Sequence, residues 1–432
     1  MNWPRVSLKD LSALGPQYGA NLKAVAPSGR GLRYIRITDI DEFGRLRPDT
    51  LVEPESVDIA EYFLTEGDLL LARSGATVGK TYRYTSADGQ CAFAGYLIRF
   101  RPNSCVASSP FLSYYFQTPE YWAWVQGKKR IAAQPNINGA EYAALEIPLP
   151  SLQEQSRIVE LLDEADRLRR LSREASAKAE RILPVLFLKM FGDPAINPKG
   201  WDVKPLSRVI ASVEAGWSSQ SEARQSQNGE KAVLKVSAVT SGIFRPEEHK
   251  AVPEVDPNRT LITPRRGDLL FSRANTRELV AATCIVEADY PNLFLPDKLW
   301  RITPFPNEAK STFLKELFWN SGIRDKFRAD SSGSSGSMLN ISQNAVLRTE
   351  VPMPPLSLQE QFDRRAWSVM EIARKAQQTS LCLEHIWTEL LNRAFSGQLT
   401  AKWREAHMKE LLAEMEVQAR QLNLPMPQEA AV

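Results

Sequence analysis

Ser151-Leu152-Gln153-Glu154-Gln155 and Ser357-Leu358-Gln359-Glu360-Gln361 are the same five letters written twice, roughly 200 residues apart. Each follows a cluster of prolines, Pro148 and Pro150 in the first case, Pro352, Pro354 and Pro355 in the second. Prolines there keep a strand from running on into a helix. Ser-x-x-Glu then reads as a capping box, hydroxyl and carboxylate satisfying the free amides of a first helical turn. Each copy therefore marks the start of a long helix.

Upstream the repetition continues in the same order. Trp3-Pro4-Arg5-Val6-Ser7-Leu8 is echoed by Trp201-Asp202-Val203-Lys204-Pro205-Leu206, and Tyr34-Ile35-Arg36-Ile37-Thr38 by Val233-Leu234-Lys235-Val236-Ser237. Gly67-Asp68-Leu69-Leu70-Leu71-Ala72-Arg73 returns as Gly267-Asp268-Leu269-Leu270-Phe271-Ser272-Arg273. Leu97-Ile98-Arg99-Phe100-Arg101-Pro102 matches Leu299-Trp300-Arg301-Ile302-Thr303-Pro304, and Asn136-Ile137-Asn138 matches Asn340-Ile341-Ser342. Matches in one order at a nearly constant offset define an internal duplication. Each repeat is long enough to bury a core of its own, which excludes a solenoid. The expected organisation is a globular unit over 1–150, a helix over 151–198, a second globular unit over 199–355, and a second helix with a C-terminal tail over 356–432.

Inside the globular units, short apolar runs broken by Gly, Pro and Asn predict strands at 34–40, 68–72, 96–100 and 233–239. Helical spacing of aromatic and aliphatic residues predicts helices at 111–126 and 311–327. The fold class is α+β: two globular domains alternating with two long helices that pair as an antiparallel coiled coil. The pairing is read from a narrow apolar seam. In the first helix it runs through Ile158, Leu161, Ala165, Leu168, Ser172, Ala175, Ala179, Ile182 and Leu186. In the second it runs through Phe362, Ala366, Val369, Ala373, Ala376, Ser380, Leu383, Trp387, Leu390 and Ala394. Pro184 is expected to kink or end the first helix. Packing of each helix on its own globular unit is the alternative.

The 432-residue chain has 43% hydrophobic and 24% charged residues, ordinary for a globular protein, and a formal net charge of +3. That charge neither demands nor excludes nucleic acid, since a basic face can be balanced elsewhere. The opening Met1-Asn2-Trp3-Pro4-Arg5 does not read as a secretory signal, and no apolar run reaches the ~18–20 residues of a membrane helix. A cytoplasmic location with no membrane partner is expected. Cys91, Cys105, Cys284 and Cys382 are scattered without a Cys-x-x-Cys pair and read as buried, reduced thiols.

Two globular units alternating with two similar helices that open on Pro-(x)-Leu-x-x-Gln-Glu-Gln resemble the specificity subunit of type I restriction–modification systems, over essentially the whole chain. Further hallmarks are Arg73-Ser74-Gly75-Ala76-Thr77-Val78-Gly79-Lys80, Gln134-Pro135-Asn136-Ile137-Asn138, Phe191-Gly192-Asp193-Pro194 and Ala394-Phe395-Ser396-Gly397-Gln398-Leu399-Thr400. The second copy departs at Ala274-Asn275-Thr276-Arg277, which lacks the Gly-Lys ending. The resemblance implies target-recognition domains, each reading one half of a split, asymmetric site in double-stranded DNA. It implies helices that space the halves and dock two methyltransferase subunits, and further restriction/translocase subunits. It also implies that S-adenosylmethionine, ATP and Mg²⁺ belong to those partners and none to this chain. A stand-alone DNA-binding protein of another defence system is the alternative.

No catalytic constellation competes. His249, His385 and His407 are too scattered for a metal site or triad, and no glycine-rich loop opens a Rossmann unit. Gly75-Ala76-Thr77-Val78-Gly79-Lys80 is one residue short of the nucleotide-binding spacing. As a loop that approaches DNA phosphate it nominates Ser74, Thr77 and Lys80, with Arg73 before it. Lys128, Lys129 and Arg130 precede Gln134, Asn136 and Asn138; Arg suits guanine, and Gln or Asn adenine, in the major groove. A solvated basic turn is the plainer reading. In the second copy Arg324, Lys326 and Arg328 precede a Gly/Ser run ending at Ser337, then Asn340; Arg273, Asn275 and Arg277 complete the candidates.

Overall fold

The computed structural model describes residues 3–29, 31–56, 58–129, 135–256, 258–329 and 339–424. The chain forms two units, Met1–Ser172 with Thr379–Val432, and Arg173–Gln378. Each long helix contributes to both.

The first unit is built on a four-stranded antiparallel sheet in the order Ser12–Tyr18, Leu97–Pro102, Leu69–Ala72, Thr81–Arg83. The strand Leu69–Ala72 is buried at every position because both sheet faces are covered. Leu69 and Leu71 enter a core with helical residues such as Phe111, Tyr121 and Ile158. Leu70 and Ala72 face the opposite way, onto Ile35, Tyr82 and Phe93. That second face carries a parallel pair, Leu32–Ile35 with Gln90–Phe93. Arg5–Ser7 pairs with Glu146–Pro148 and closes the unit at the head of the long helix.

The helices are α1 (Ser109–Tyr115), α2 (Pro119–Lys129), α3 (Gly139–Ala143) and α4 (Leu152–Phe191). A single helix over 111–126 was expected. It is broken before Pro119, where the Thr118 hydroxyl accepts from the Tyr121 amide and starts a new helix.

The second unit repeats this wiring. Its sheet runs Ile210–Ala215, Leu299–Pro304, Leu269–Ser272, Thr283–Ile285. Lys231–Leu234 pairs in parallel with Leu293–Phe294, and Asp202–Pro205 pairs with Glu350–Met353. The strands expected at 34–40 and 233–239 stop at Ile35 and Leu234, the latter followed by a turn of 3-10 helix at Val236–Ala238. Here α5 (Ser311–Trp319) and α6 (Ser321–Ala329) are divided at Asn320, whose side-chain oxygen accepts from the Gly322 and Ile323 amides. Then come α7 (Gln343–Arg348) and α8 (Leu356–Phe395), with α9 (Ala401–Ala406) and α10 (Met408–Leu422) returning to the first unit.

The repeated pentapeptide is out of step with the repeated structure. In the first copy the Gln155 amide donates to Val106 O and Pro150 O, at 2.9 and 3.0 Å, while its oxygen accepts from Ser108 N at 2.8 Å. In the second copy the same three bonds are made by Gln359, to Glu308 O, Pro354 O and from Lys310 N. Gln359 is therefore the counterpart of Gln155, and the frame is Ile147-Pro148-Leu149-Pro150-x-Leu152-x-x-Gln155 against Val351-Pro352-Met353-Pro354-x-Leu356-x-x-Gln359. The expected capping boxes change accordingly. Ser151 does accept from the Glu154 amide at 3.2 Å, but the Glu154 carboxylate is drawn to Arg404, Thr400 and Trp3 instead of the helix start. Ser357 sits inside the first turn of α8 and caps nothing.

Burial also corrects the seam of α4. Ile158, Leu162, Arg169, Ala179, Leu183, Phe187 and Phe191 are buried, whereas the expected Leu168 and Ile182 are 46% and 43% exposed and Ala175 is exposed. The buried stripe lies one residue further on for much of its length. The α8 seam is partly or fully buried at every expected position. Nor does Pro184 end α4, which continues to Phe191. Of the four thiols, Cys91 and Cys284 are buried and Cys105 and Cys382 exposed; all four are free.

Candidate nucleic-acid interface

Both units hold an arginine at the end of a central strand by the same backbone frame. In the first, the Arg73 amide donates to Tyr96 O at 3.0 Å and its carbonyl accepts from Ile137 N at 2.8 Å, while Ser74 bridges Asn136. In the second, Arg273 donates to Lys298 O at 3.1 Å and accepts from Ile341 N at 2.8 Å, and Ala274-Asn275 pairs with Leu339-Asn340. Two sequence-distant candidates, the arginine loop and the Asn-Ile segment, are thus neighbours in each copy. The Arg73 guanidinium lies 4.8 Å from the Tyr18 ring centroid, and its Nε points to Asn136 Oδ1 at 3.5 Å, a long and weak contact. Arg277 is exposed.

Other candidates are spent on structure. Asn138 caps α3 in a complete capping box with Glu141, and Glu141 also pairs with Lys128 at 3.3 Å. Lys128 and Lys129 lie 5.9 and 5.8 Å from the ring centroids of Trp124 and Trp122. Thr77 Oγ1 donates to Ser74 O within the 3-10 turn Gly75–Thr77, and Lys80 Nζ donates to Ile40 O at 3.2 Å. Asn275 Oδ1 accepts from Thr276 N. Arg130, Gln134 and Ser337 lie outside the described residues.

The basic stretch of α6 is likewise committed. Arg324 donates to Glu278 O and Val280 O, and burial pushes its guanidinium down to about 10. Lys326 donates to Glu350 O, and Arg328 pairs with Asp325 at 2.8 Å. Sequence reasoning missed Tyr18, Tyr96, Lys298 and Trp300, which only the sheet register brings to the arginines; a glycine beside Tyr18 and Tyr96 was the one local signal. Among the described residues, no group of three or more His, Cys, Asp or Glu is placed to hold a metal, and no helix is long and apolar enough to cross a membrane.

A family model described as type I restriction modification DNA specificity domain matches residues 2–181. The EcoEI specificity subunit of Escherichia coli is 29% identical over 201 residues, 44% of this chain but 34% of that protein. The chain thus spans about a third of that relative. The EcoKI specificity subunit of E. coli K12 is 24% identical over 401 residues, 86% of this chain and 83% of that protein. The crystal structure of the type I restriction–modification S subunit from M. genitalium shares the fold, with TM-score 0.59 and 13% identity over 91% of this chain and 96% of that one. The chain is therefore similar to type I restriction–modification specificity subunits over most of its length, and residues 2–181 match their DNA specificity domain.

Proposed function

We propose that this chain is the DNA sequence-recognition subunit of a type I complex, reading a bipartite, asymmetric site with one domain per half. The observation that carries this is the duplicated frame: one arginine–asparagine pair per unit, set by the same backbone bonds but surrounded by different side chains. Arginine can address guanine bidentately and asparagine adenine, so a pair of unlike frames suits two unlike half-sites. The units proposed to read them are 1–150 and 199–355.

The two long helices would pair as an antiparallel coiled coil and space the halves. Within the first unit Arg169 stacks on Trp387 at 4.1 Å and pairs with Glu384; within the second, Phe187 and Phe191 pack on Phe362. Those contacts support the pairing. Two methyltransferase subunits would dock on the helices, one per repeat. Support comes from exposed apolar side chains that recur in register, Leu168 with Ile372 and Ile386 with Ile182. Exposed apolar side chains repeated at the same register of both helices suit a protein contact repeated once per helix.

S-adenosylmethionine, ATP and Mg²⁺ would reside on methyltransferase and restriction subunits in the cytoplasm. This chain's own glycine loop does not fit a nucleotide, because it is one residue short and its lysine is turned to Ile40 O. Co-expression with the methyltransferase subunit, followed by mapping of methylated adenines, tests the reading. Two short blocks around an unspecified gap are expected. A single uninterrupted palindrome, or methylation by the purified chain alone, would overturn it.

A further inference from the structure

Around each arginine the backbone is the same, but the surrounding side chains differ. The residue whose carbonyl holds the arginine amide is Tyr96 in the first unit and Lys298 in the second. Neither belongs to the motifs that nominated the interface. Tyr96 is 61% exposed, the highest value of any aromatic ring counted among the large exposed hydrophobics. Its side chain and that of Arg73 line the same open pocket, and most of the tyrosine faces solvent.

The arginine itself is braced in both copies by an aromatic ring, though from opposite strands. Tyr18 is the cross-strand partner of Ile98, and Ala215 is the partner of Trp300. Arg73 rests on Tyr18, while Arg273 lies 5.9 Å from the Trp300 ring centroid. Where one strand supplies the ring, the other supplies an aliphatic residue. Gly19, next to Tyr18, admits the turn that carries Tyr96: a Cβ there would stand 2.4 Å from the carbonyl oxygens of Phe93 and Ala94. Gly216 serves the second copy in the same way, with Leu295 O at 2.0 Å.

We propose that Tyr96 and Lys298 are specificity-determining positions, each setting the base preference next to the one read by Arg73 or Arg273. This rests on the DNA-recognition reading above. A lysine ammonium donates to the O6 and N7 acceptors of guanine; a tyrosine ring packs against a thymine methyl or bonds through its hydroxyl. The first half-site should therefore favour an A·T pair at that position and the second a G·C pair.

The test exchanges the two side chains. Complexes of the methyltransferase subunit with the wild-type chain, Tyr96→Lys, Lys298→Tyr and Tyr96→Phe are offered a library of randomised duplexes, and the methylated sequences are read. Wild-type failure to yield two blocks would sink the underlying function; the present inference is judged only on the variants. Tyr96→Lys should shift preference by about tenfold or more at one base pair of one block, and Lys298→Tyr at one base pair of the other, with the gap unchanged. Tyr96→Phe, which keeps the ring and loses only the hydroxyl, should shift that position less than Tyr96→Lys does; an equal or larger shift would count against the assignment. Melting temperatures should match wild type, since both side chains are partly solvated. Unchanged motifs, or a uniform loss of methylation at every sequence, would overturn the assignment.

Discussion

Leu168 and Arg169 are adjacent on α4, and their roles are the reverse of what their chemistry suggests. Arg169 is 4% exposed, bonded to Asp166 at 2.8 Å, paired with Glu384 and stacked on Trp387. Its counterpart in the frame set by Gln155 and Gln359 is Ala373, and Leu183 stands in place of Trp387. The pocket lined by Leu183 and Ala373 is about 580 Å³, against about 190 Å³ for the matching one lined by Arg169 and Trp387. Arg169→Ala should lower stability by about 1–3 kcal/mol, since it removes a buried guanidinium's bond to Asp166, its pairing with Glu384 and its stacking on Trp387, while Asp166 keeps Arg45 at 2.6 Å. Calorimetry of the purified chain checks this. Leu168→Asp should leave the melting temperature within a few degrees of wild type but weaken methyltransferase binding, and Ile372→Asp should do the same for the second docking position. Gln155→Ala and Gln359→Ala should each lower stability by about 1–3 kcal/mol, because each takes the acceptor from a backbone amide, Ser108 N or Lys310 N, and removes two bonds to carbonyls, although Gln418 still reaches Val106 O.

At the scale of elements, α9 and α10 have no duplicate. Glu154, at the head of α4, is 1% exposed and receives the Arg404 Nε at 2.8 Å and the Thr400 hydroxyl at 2.6 Å. Trp3 closes the cluster, donating its indole N–H to the same carboxylate and lying 5.2 Å from the Arg404 guanidinium. From α10, Glu414 accepts from the Gln153 amide, and Gln418 donates to Val106 O, one of the carbonyls already bonded by Gln155. An acid at a helix start is favourable in itself, and here the two ends of the chain meet on it. Arg404→Ala should strand a buried carboxylate, at a cost of about 3–5 kcal/mol, and release α9 and α10. Limited proteolysis after Phe395 would report that release; equal resistance in variant and wild type would show that the cluster does not hold the tail.

For the whole molecule, the testable consequence is a split recognition site whose gap follows helix length. Adding one turn to both long helices adds about 5.4 Å and should lengthen the gap by one or two base pairs with both blocks kept. Exchanging residues 1–150 for the matching segment of a type I specificity subunit should change one block only. Mapping methylated adenines for each variant distinguishes these outcomes from a change of both blocks, which would mean that the domains do not read separately.

The duplication, the two long helices, their starting prolines and the arginine and asparagine candidates were legible in the chain because they depend on local order: repeated letters, helical period and proline. The α8 seam was readable for the same reason. The α4 seam was not, because an arginine buried against Trp387 and Glu384 looks like a solvent residue until its partners, over 200 positions away, are in place. The pentapeptide misled by two residues, since identical letters do not reveal which glutamine reaches Glu308 O and Pro354 O. Glu154 fits a capping box equally well in sequence; only the return of Arg404 and Thr400 decides that its charge is neutralised elsewhere. Which side chains surround Arg73 and Arg273 was likewise a tertiary matter, set by the register of Tyr18 with Ile98 and of Ala215 with Trp300. Period and punctuation act between neighbours, but the burial of charge and the surroundings of a fixed guanidinium depend on contacts that exist only after the strands have paired.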